Sequence, residues 1–514
     1  MYCYVCAGLV LASRLSGDPS KKMLVLEAGG AHFNDAAIAG GKGLGGSSAV
    51  NFYMWLRAKK ERPGNPGWNW ENHLKYAIKS ETFIPGSSEA AEKERKTHDP
   101  AVHGTDGPIT ISFPNMNSGL EIAMQDSLET LGFPRLRGLQ SGTLVGAGMA
   151  ATNMDPRANT RTTSQTYLKP AVGRSNLKVL VNAPVARVLS APAEDDQFVA
   201  SGVEFLFDGQ THVVSTSSSG EVIVSAGTLK YPQLILELSG VGDPAVLEKI
   251  GVETEVALPA VSTNVQEHLF AGIAYELNEP EKYNTIDELA DPAKVAEHMA
   301  LYPEGKGLFT LGISLMAWSS LKAISSRAAE IESTAPTTSA IPGLTEQYAE
   351  QHARVAAGGA GPEYTTISGF YSFPSASPTP VRPRHFNRPF SRGTIHAVSA
   401  DPLAPSAIEP HYFEEPVDLA TYVEQVKFAR RLAQTAPFSD VLRKELNPGP
   451  AVASDADIAL WLKRHMTTLR VHGTEGLRVV DLSVVPLIPS AHTQSMVYAI
   501  AEQAADIVKG VFVA

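Results

Sequence analysis

Residues 1–30 read MYCYVCAGLVLASRLSGDPSKKMLVLEAGG. The small pair Ala7-Gly8 opens a helical stretch, LVLASRL, and a turn follows at Gly17-Asp18-Pro19. An apolar run, MLVLEAGG, then ends at the acid Glu27, 19 residues after Gly8. Helix, turn and strand closing on an acid is the order of a dinucleotide-binding unit, where the acid holds a ribose hydroxyl. A solvated acid at a strand end is the plain alternative for Glu27. Cys3-Tyr4-Val5-Cys6-Ala7-Gly8 stands where a G-x-G-x-x-G loop would bind phosphates, and of the three glycines Gly8 alone is present. Val5 would bring a β-branched side chain to a place where backbone amides approach a pyrophosphate. Cys3 and Cys6 have the spacing of a thioredoxin-like pair, but no strand precedes them to hold one. No further Cys or His lies near enough in sequence to complete a metal site, and no metal is expected.

Outward from this unit, the chain runs to 514 residues, enough for two or three domains. A composition of 43% hydrophobic and 19% charged residues is that of a globular protein. The formal net charge of −11 speaks against nucleic acid or an anionic membrane as the main partner. No apolar run reaches the ~18 residues of a membrane span. The start MYCYVCAGLVLA lacks the basic n-region of a signal peptide. Two cysteines make no disulfide framework. Localisation and oligomeric state are not readable.

β-branched alternation with Gly and Asp breaks predicts short strands across 176–225. YPQLILELSG has helical spacing and stops at Gly240; DPAVLEKIGV starts at an Asp243 cap and stops at Gly251. Residues 85–165, rich in Pro, Gly, Asn and Thr, read as loops with short strands. The stretch 318–362 reads as helical, 364–413 as a Pro-broken antiparallel sheet, and 417–436 as an amphipathic helix. The end of the chain reads strand, turn, helix. Trp68-Asn69-Trp70 is core or loop packing by preference over a pocket wall.

Three further stretches could carry chemistry. Gly45-Gly46-Ser47-Ser48 with Asn51 puts small residues, hydroxyls and an amide before an apolar run, a composition that lets a backbone approach an anion or a ring. Asp481, in LRVVDLSVVP, stands at a strand end; a helix-entry acid is its plain alternative. His492, in PSAHTQS, stands at the N-terminus of the last helix, where the helix dipole disfavours an imidazolium and leaves the ring able to act as a base. A structural capping histidine is equally compatible with that position.

Together and in order these segments resemble the glucose–methanol–choline (GMC) flavoprotein oxidoreductases, the fungal branch in particular. AGLVLASRLSGDPSKKMLVLEAGG is similar to the first β-α-β unit, and GKGLGGSSAVNFYMWLRA to the first signature. SAGTLKYPQLILELSGVG resembles the second, and Asn264, Gln266 and His268 match the Asn-x-Gln-x-His segment that follows it. The stretch GTEGLRVVDLSVVPLIPSAHTQSMVYAIAEQAADIV, residues 473–508, is very like the family's final strand and helix. The resemblance implies an α/β fold: a Rossmann-like FAD-binding domain plus a substrate domain with an antiparallel sheet flanked by helices. It implies residues 1–270 as the FAD-binding domain with substrate-domain segments inserted at about 60–165, 271–455 as the substrate-binding domain, and 456–514 as a return to the first. It implies FAD as cofactor, a small-molecule alcohol as substrate, and hydride transfer from substrate carbon to flavin. By position, Gly8 ends the phosphate turn and Glu27 holds the adenosine ribose. Gly46, Ser47, Ser48 and Asn51 lie near the pyrophosphate and flavin, and Val185 meets the adenine through its backbone. Asp481 and Thr493 contact the pyrophosphate–ribityl and flavin regions, and His492 takes the family's second catalytic position.

Four departures from the family pattern stand out. The first strand and the phosphate loop are expected to be missing, and the N-terminus to be truncated. Between Gly30 and the GGSS motif lie 14 residues, Ala31 to Leu44, where the family carries a much longer segment. After LRAKKE the chain passes directly to RPGNPGWNW. RHMTT runs straight into LRVHGTEGLRVVD, without the His-x-x-Gly-Thr stretch that supplies the family's principal base; neither His465 nor His472 takes that role. Two other readings therefore stay open: a non-redox cyclase on the same fold, and an inactive product of a misjoined gene.

Overall fold

The computed structural model describes residues 2–3, 6–31, 43–49, 51, 53–57, 67–191, 198–228, 235–369, 381–386, 388–464 and 478–512. The strands that position the site are β1 (Tyr2–Cys3), β2 (Met23–Leu26), β3 (Gly146–Met149), β4 (Leu177–Leu180), β5 (Ile223–Ser225), β6 (Leu269–Leu277), β7 (Leu315–Trp318), β8 (Pro362–Thr365), β9 (Val381–Phe386), β10 (Leu442–Asn447) and β11 (Arg478–Val479). The helices are α1 (Cys6–Leu15), α2 (Leu344–Ala356), α3 (Pro416–Ala433) and α4 (Gln494–Val508).

A five-stranded parallel sheet runs β4-β2-β1-β5-β11. Its strands are short and, apart from Lys178 and Arg478 on the edge strands, uncharged. Helix α1 follows the central strand and is buried on almost every side, which explains its run of apolar and small residues. Its charged member, Arg14, reaches the buried Glu502 of α4 at 2.6 Å, tying the first helix to the last. Tyr167 donates to the same carboxylate at 2.9 Å.

One expectation is corrected in extent. The first strand is not missing: Tyr2 pairs with Leu26 and Val224, and Cys3 with Ser225. The slot between β2 and β5 offers unsatisfied backbone groups on both sides, so even two residues are drawn into the ladder. Val5, which falls in the phosphate-loop position, lies outside the described residues.

The second sheet has six strands in the order β10-β6-β9-β8-β7-β3. β8 pairs antiparallel with β7, Trp318 opposite Glu363 and Ala317 opposite Tyr364. Directly opposed residues share a face, and the faces alternate along each strand. Leu315, Ala317, Tyr364, Leu269, Ala271 and Ile273 pack in the main core with α3. Met316 and Trp318 face the other way, into a cluster with Met54, Leu56, Ala360 and Ala491. Glu363 therefore sits on the face turned toward the loop before α4. α3 is fastened to the opposite face, Gln425 donating to the Glu363 carbonyl at 2.8 Å and Tyr422 to the Leu269 carbonyl at 3.2 Å.

The strands expected within 176–225 form β4, β5 and a three-stranded antiparallel sheet of Val185–Ala191, Val199–Phe207 and Gln210–Ser215. Gly240 and Gly251 end their elements at φ of 78° and 73°, and Asp243 caps Pro244–Ile250. Trp70 is buried, and Asn69 caps the helix Trp70–Ser80. The segment 85–165 departs from its reading as loops and short strands, since Glu121–Thr130 is a helix. Its turn-forming neighbours masked the signal: Ser118 and Gly119 donate to the Glu121 carboxylate and start the helix in a region that looks loop-like by composition.

Candidate active site

The carboxyl edge of the parallel sheet gathers most of the residues singled out from sequence. Glu27 follows β2 directly and is fully buried, its Oε1 accepting from the Gly29 amide at 2.8 Å. The chain after β4 folds onto the same edge, with the Asn182 and Ala183 amides donating to the Gly29 and Glu27 carbonyls. That places Val185, buried at the start of its strand, beside Glu27. Gly8 lies in the first turns of α1, buried between sheet and helices.

Residues 45–49 cover the N-terminus of α1. The Gly45 carbonyl accepts from Ser48 Oγ at 2.5 Å, from Ser164 Oγ at 3.3 Å and from Cys6 Sγ at 3.8 Å. Gly46, at φ 51°, starts the short 3-10 turn Gly46–Ala49. This turn buries Ser48 and exposes Ser47. Asn51 is held by Arg161, which donates to its side-chain oxygen at 2.8 Å and to its carbonyl at 2.7 Å, with the guanidinium 3.7 Å from the centre of the Tyr53 ring. The sequence reading did not single out Arg161.

Asp481 is fully buried and links two strand ends. One oxygen accepts from the Ser483 amide and the other from the Gly227 amide, both at 2.8 Å. Gly227 follows β5 at φ 77°, so Asp481 locks the turns after β5 and β11 together. Thr493 is the half-buried residue before α4.

Several buried polar groups at this edge have no hydrogen-bond partner among the described residues: Ser225 Oγ, Ser483 Oγ and both ends of the Gln494 amide. The Tyr498 hydroxyl lies among Cys6, Ser48 and Ser164, and burial pushes its pKa well above the usual tyrosine range. An unsatisfied buried polar group costs ~1–3 kcal/mol. Their concentration beside α1, β5 and α4 fits a polar ligand with many acceptors, and a dinucleotide is such a ligand.

His492 lies two residues before α4, against the six-stranded sheet. Its Nε2 is 3.0 Å from Oε1 of the fully buried Glu363 on β8. The His268 ring crosses it edge-on at 6.2 Å between centres. Glu363 was not singled out from sequence. Its one local signal is an acid at an inward-facing position of an otherwise buried strand, PEYT. His465 and His472 lie outside the described residues. Among the described residues no group of three His, Cys, Asp or Glu side chains could hold a metal, and no helix is long and apolar enough to cross a membrane.

Comparisons with known proteins agree along the chain. A family profile described as GMC oxidoreductase matches residues 21–270, and a second, C-terminal one of the same description matches 389–469 and 465–501. The chain is 30% identical to the dehydrogenases mpl7 of Monascus purpureus and citC of Monascus ruber, over 98% of its own length and 94% of theirs. That alignment spans 599 positions, more than the 514 residues of the chain, so these relatives have residues where this chain has none. Among solved structures it is similar to an FAD-dependent oxidoreductase from Chaetomium thermophilum, with TM-score 0.87, 24% identity and coverage of 98% and 97%. A fungal aryl-alcohol oxidase superposes with TM-score 0.86 and 24% identity, covering 99% and 98%.

Proposed function

The chain belongs to the GMC oxidoreductase family, and we propose that it holds FAD along the carboxyl edge of the parallel sheet and oxidises a small-molecule alcohol beside His492. The observation that carries the proposal is the His492–Glu363 pair at 3.0 Å, which joins the entrance of α4 to the six-stranded sheet. FAD, when bound, supplies the acceptor for the substrate's hydride.

Each remaining part falls to residues of this chain. Glu27 and the Val185 backbone hold the adenosine end; Gly8, Gly46, Ser47, Ser48 and Asn51 lie along the pyrophosphate. Asp481 acts indirectly, keeping the turns at Gly227 and Ser483 in place, and Thr493 lies at the flavin end. With Nε2–H donated to Glu363, Nδ1 of His492 is the proton-accepting atom. The Glu363 carboxylate then steadies the imidazolium that forms as the alcohol proton is taken. General-base help of this kind contributes about 10²–10⁴-fold. On this reading 1–270, apart from the segments inserted at about 60–165, and 456–514 form the cofactor side, and 271–455 with those inserted segments the substrate side.

The test is purification followed by anaerobic mixing with a panel of primary and aryl alcohols. The expected result is near-stoichiometric bound FAD whose absorbance bleaches with one or more of them. Protein without bound or bindable FAD overturns the proposal. Turnover of a compound with the flavin left oxidised favours the cyclase reading instead.

A further inference from the structure

We propose that Asn264, Gln266 and His268 form a clamp that positions His492, with His268 its decisive member. The proposal rests on the functional reading above, since it concerns the histidine assigned there as base.

The loop from Pro486 to Thr493 connects a 3-10 turn to α4 without regular structure of its own. Two of its residues, Pro486 and Pro489, have no amide hydrogen to give a strand partner. Side chains hold it instead. From NVQEH, Asn264, Gln266 and His268 all reach this loop through their side chains. Gln266 donates to the Pro486 carbonyl at 2.9 Å and accepts from the Ile488 amide at 3.2 Å. His268 Nε2 meets the Pro489 carbonyl at 2.9 Å, which makes it a donor there. Asn264 reaches the Pro486 carbonyl at 3.5 Å.

The clamp is itself anchored. Val265 exchanges both backbone hydrogen bonds with Gly393, at 2.9 and 3.0 Å. Asn264 sits at φ 63° and accepts from Arg392 at 2.8 Å, and the buried Arg392 extends to Gln351 of α2 at 2.6 Å.

On the other side of the loop, Ser490 donates to the Ala360 carbonyl at 2.8 Å, three residues before Glu363. The loop is thus gripped between 264–268 and 360–363, and His492 is delivered to the Glu363 carboxylate. The crossed His268 ring bounds His492 on one face. Loss of the His268–Pro489 bond removes one side of this grip, leaves Ser490 holding the other, and lets the His492 ring shift from Glu363.

The experiment uses the full-length, FAD-loaded protein with ¹⁵N-labelled histidine side chains. The readout is the His492 Nε2–H resonance, assigned by its loss in His492→Asn, recorded beside kcat and KM for an alcohol that reduces the flavin. His268→Ala and His268→Asn, whose side chain is too short for Pro489, should broaden or lose that resonance. Both should lower kcat about ten- to a hundredfold, the range for a misplaced catalytic group, with KM within about threefold. His268→Gln keeps an N–H at the needed reach and should restore both readouts. An unchanged His492 resonance in the Asn variant overturns the proposal, as does a Gln variant indistinguishable from Asn. Should Ala unfold, the Asn and Gln pair decides. If the resonance behaves as expected while no alcohol reduces the flavin, the functional reading fails and the clamp stands. If alcohol is oxidised and residue 268 does not move the resonance, the clamp fails alone.

Discussion

In the proposed mechanism, Glu363 and His492 are the residues on which the chemistry turns. One is a carboxylate with no exposure, the other an imidazole partly open to solvent. A buried acid is retained where it has a partner, and His492 is that partner. Replacing His492 with Ala should lower kcat about 10²–10⁴-fold with the bound flavin spectrum retained. Glu363→Gln should lower kcat by a smaller factor and leave KM near its starting value, because it removes stabilisation that arises only as the proton moves. Stopped-flow flavin reduction measures both, and equal rates for wild type and Glu363→Gln would remove Glu363 from the mechanism.

Among the elements, the start of α3 carries a second buried acid with a different role. Asp418 accepts from the Phe390 and Ser391 amides at 2.8 Å each and from Ser391 Oγ at 2.6 Å, fastening the loop that leads to Arg392 and so to Asn264. Burial pushes its carboxyl up to about 6 from 3.8, with those three hydrogen bonds pulling the other way. A folded-state pKa raised above the unfolded one means that protonation favours the fold. This contribution is fully present below 3.8 and is lost as the pH rises through about 6. The loss is on the order of 3 kcal/mol. In urea unfolding from pH 4 to 7, the stability of wild type relative to Asp418→Asn should fall by roughly that amount. A difference that stays flat across this range would show that the shift is absent. The element boundaries nearby were legible from sequence where caps and glycines stand alone, as at Asp243 and Gly251. They were illegible at Glu121–Thr130, where the residues that start the helix are also the residues of turns.

The molecule as a whole joins its first and last segments: α1 packs against α4, and β11 completes the parallel sheet that holds β1. A cofactor along that edge touches both chain ends, so its binding belongs to the folding equilibrium. FAD at a hundred times its dissociation constant should add about 2.7 kcal/mol to unfolding. Differential scanning fluorimetry should show a melting temperature raised by FAD and unmoved by riboflavin, which lacks the adenosine and the pyrophosphate. Equal shifts from both would mean that Glu27 and the α1 region contribute nothing to the site.

Short-range order in the sequence determined the nucleotide-type unit, the strand-end acid Glu27, the small-residue turn at 45–48 and the final helix with His492 before it. Each follows from contacts within a few residues: apolar spacing, a cap, a glycine turn. The resemblance of the ordered motifs carried the fold class and FAD. The partners of those residues were decided by tertiary structure alone. Glu363 is 129 residues from His492, and His268 is 221 from Pro489. Sheet register and loop packing bring them together, and no local pattern encodes a pairing across that separation. The central strand is the same case: Tyr2–Cys3 carry too little propensity to form a strand by themselves, and the two flanking strands impose it.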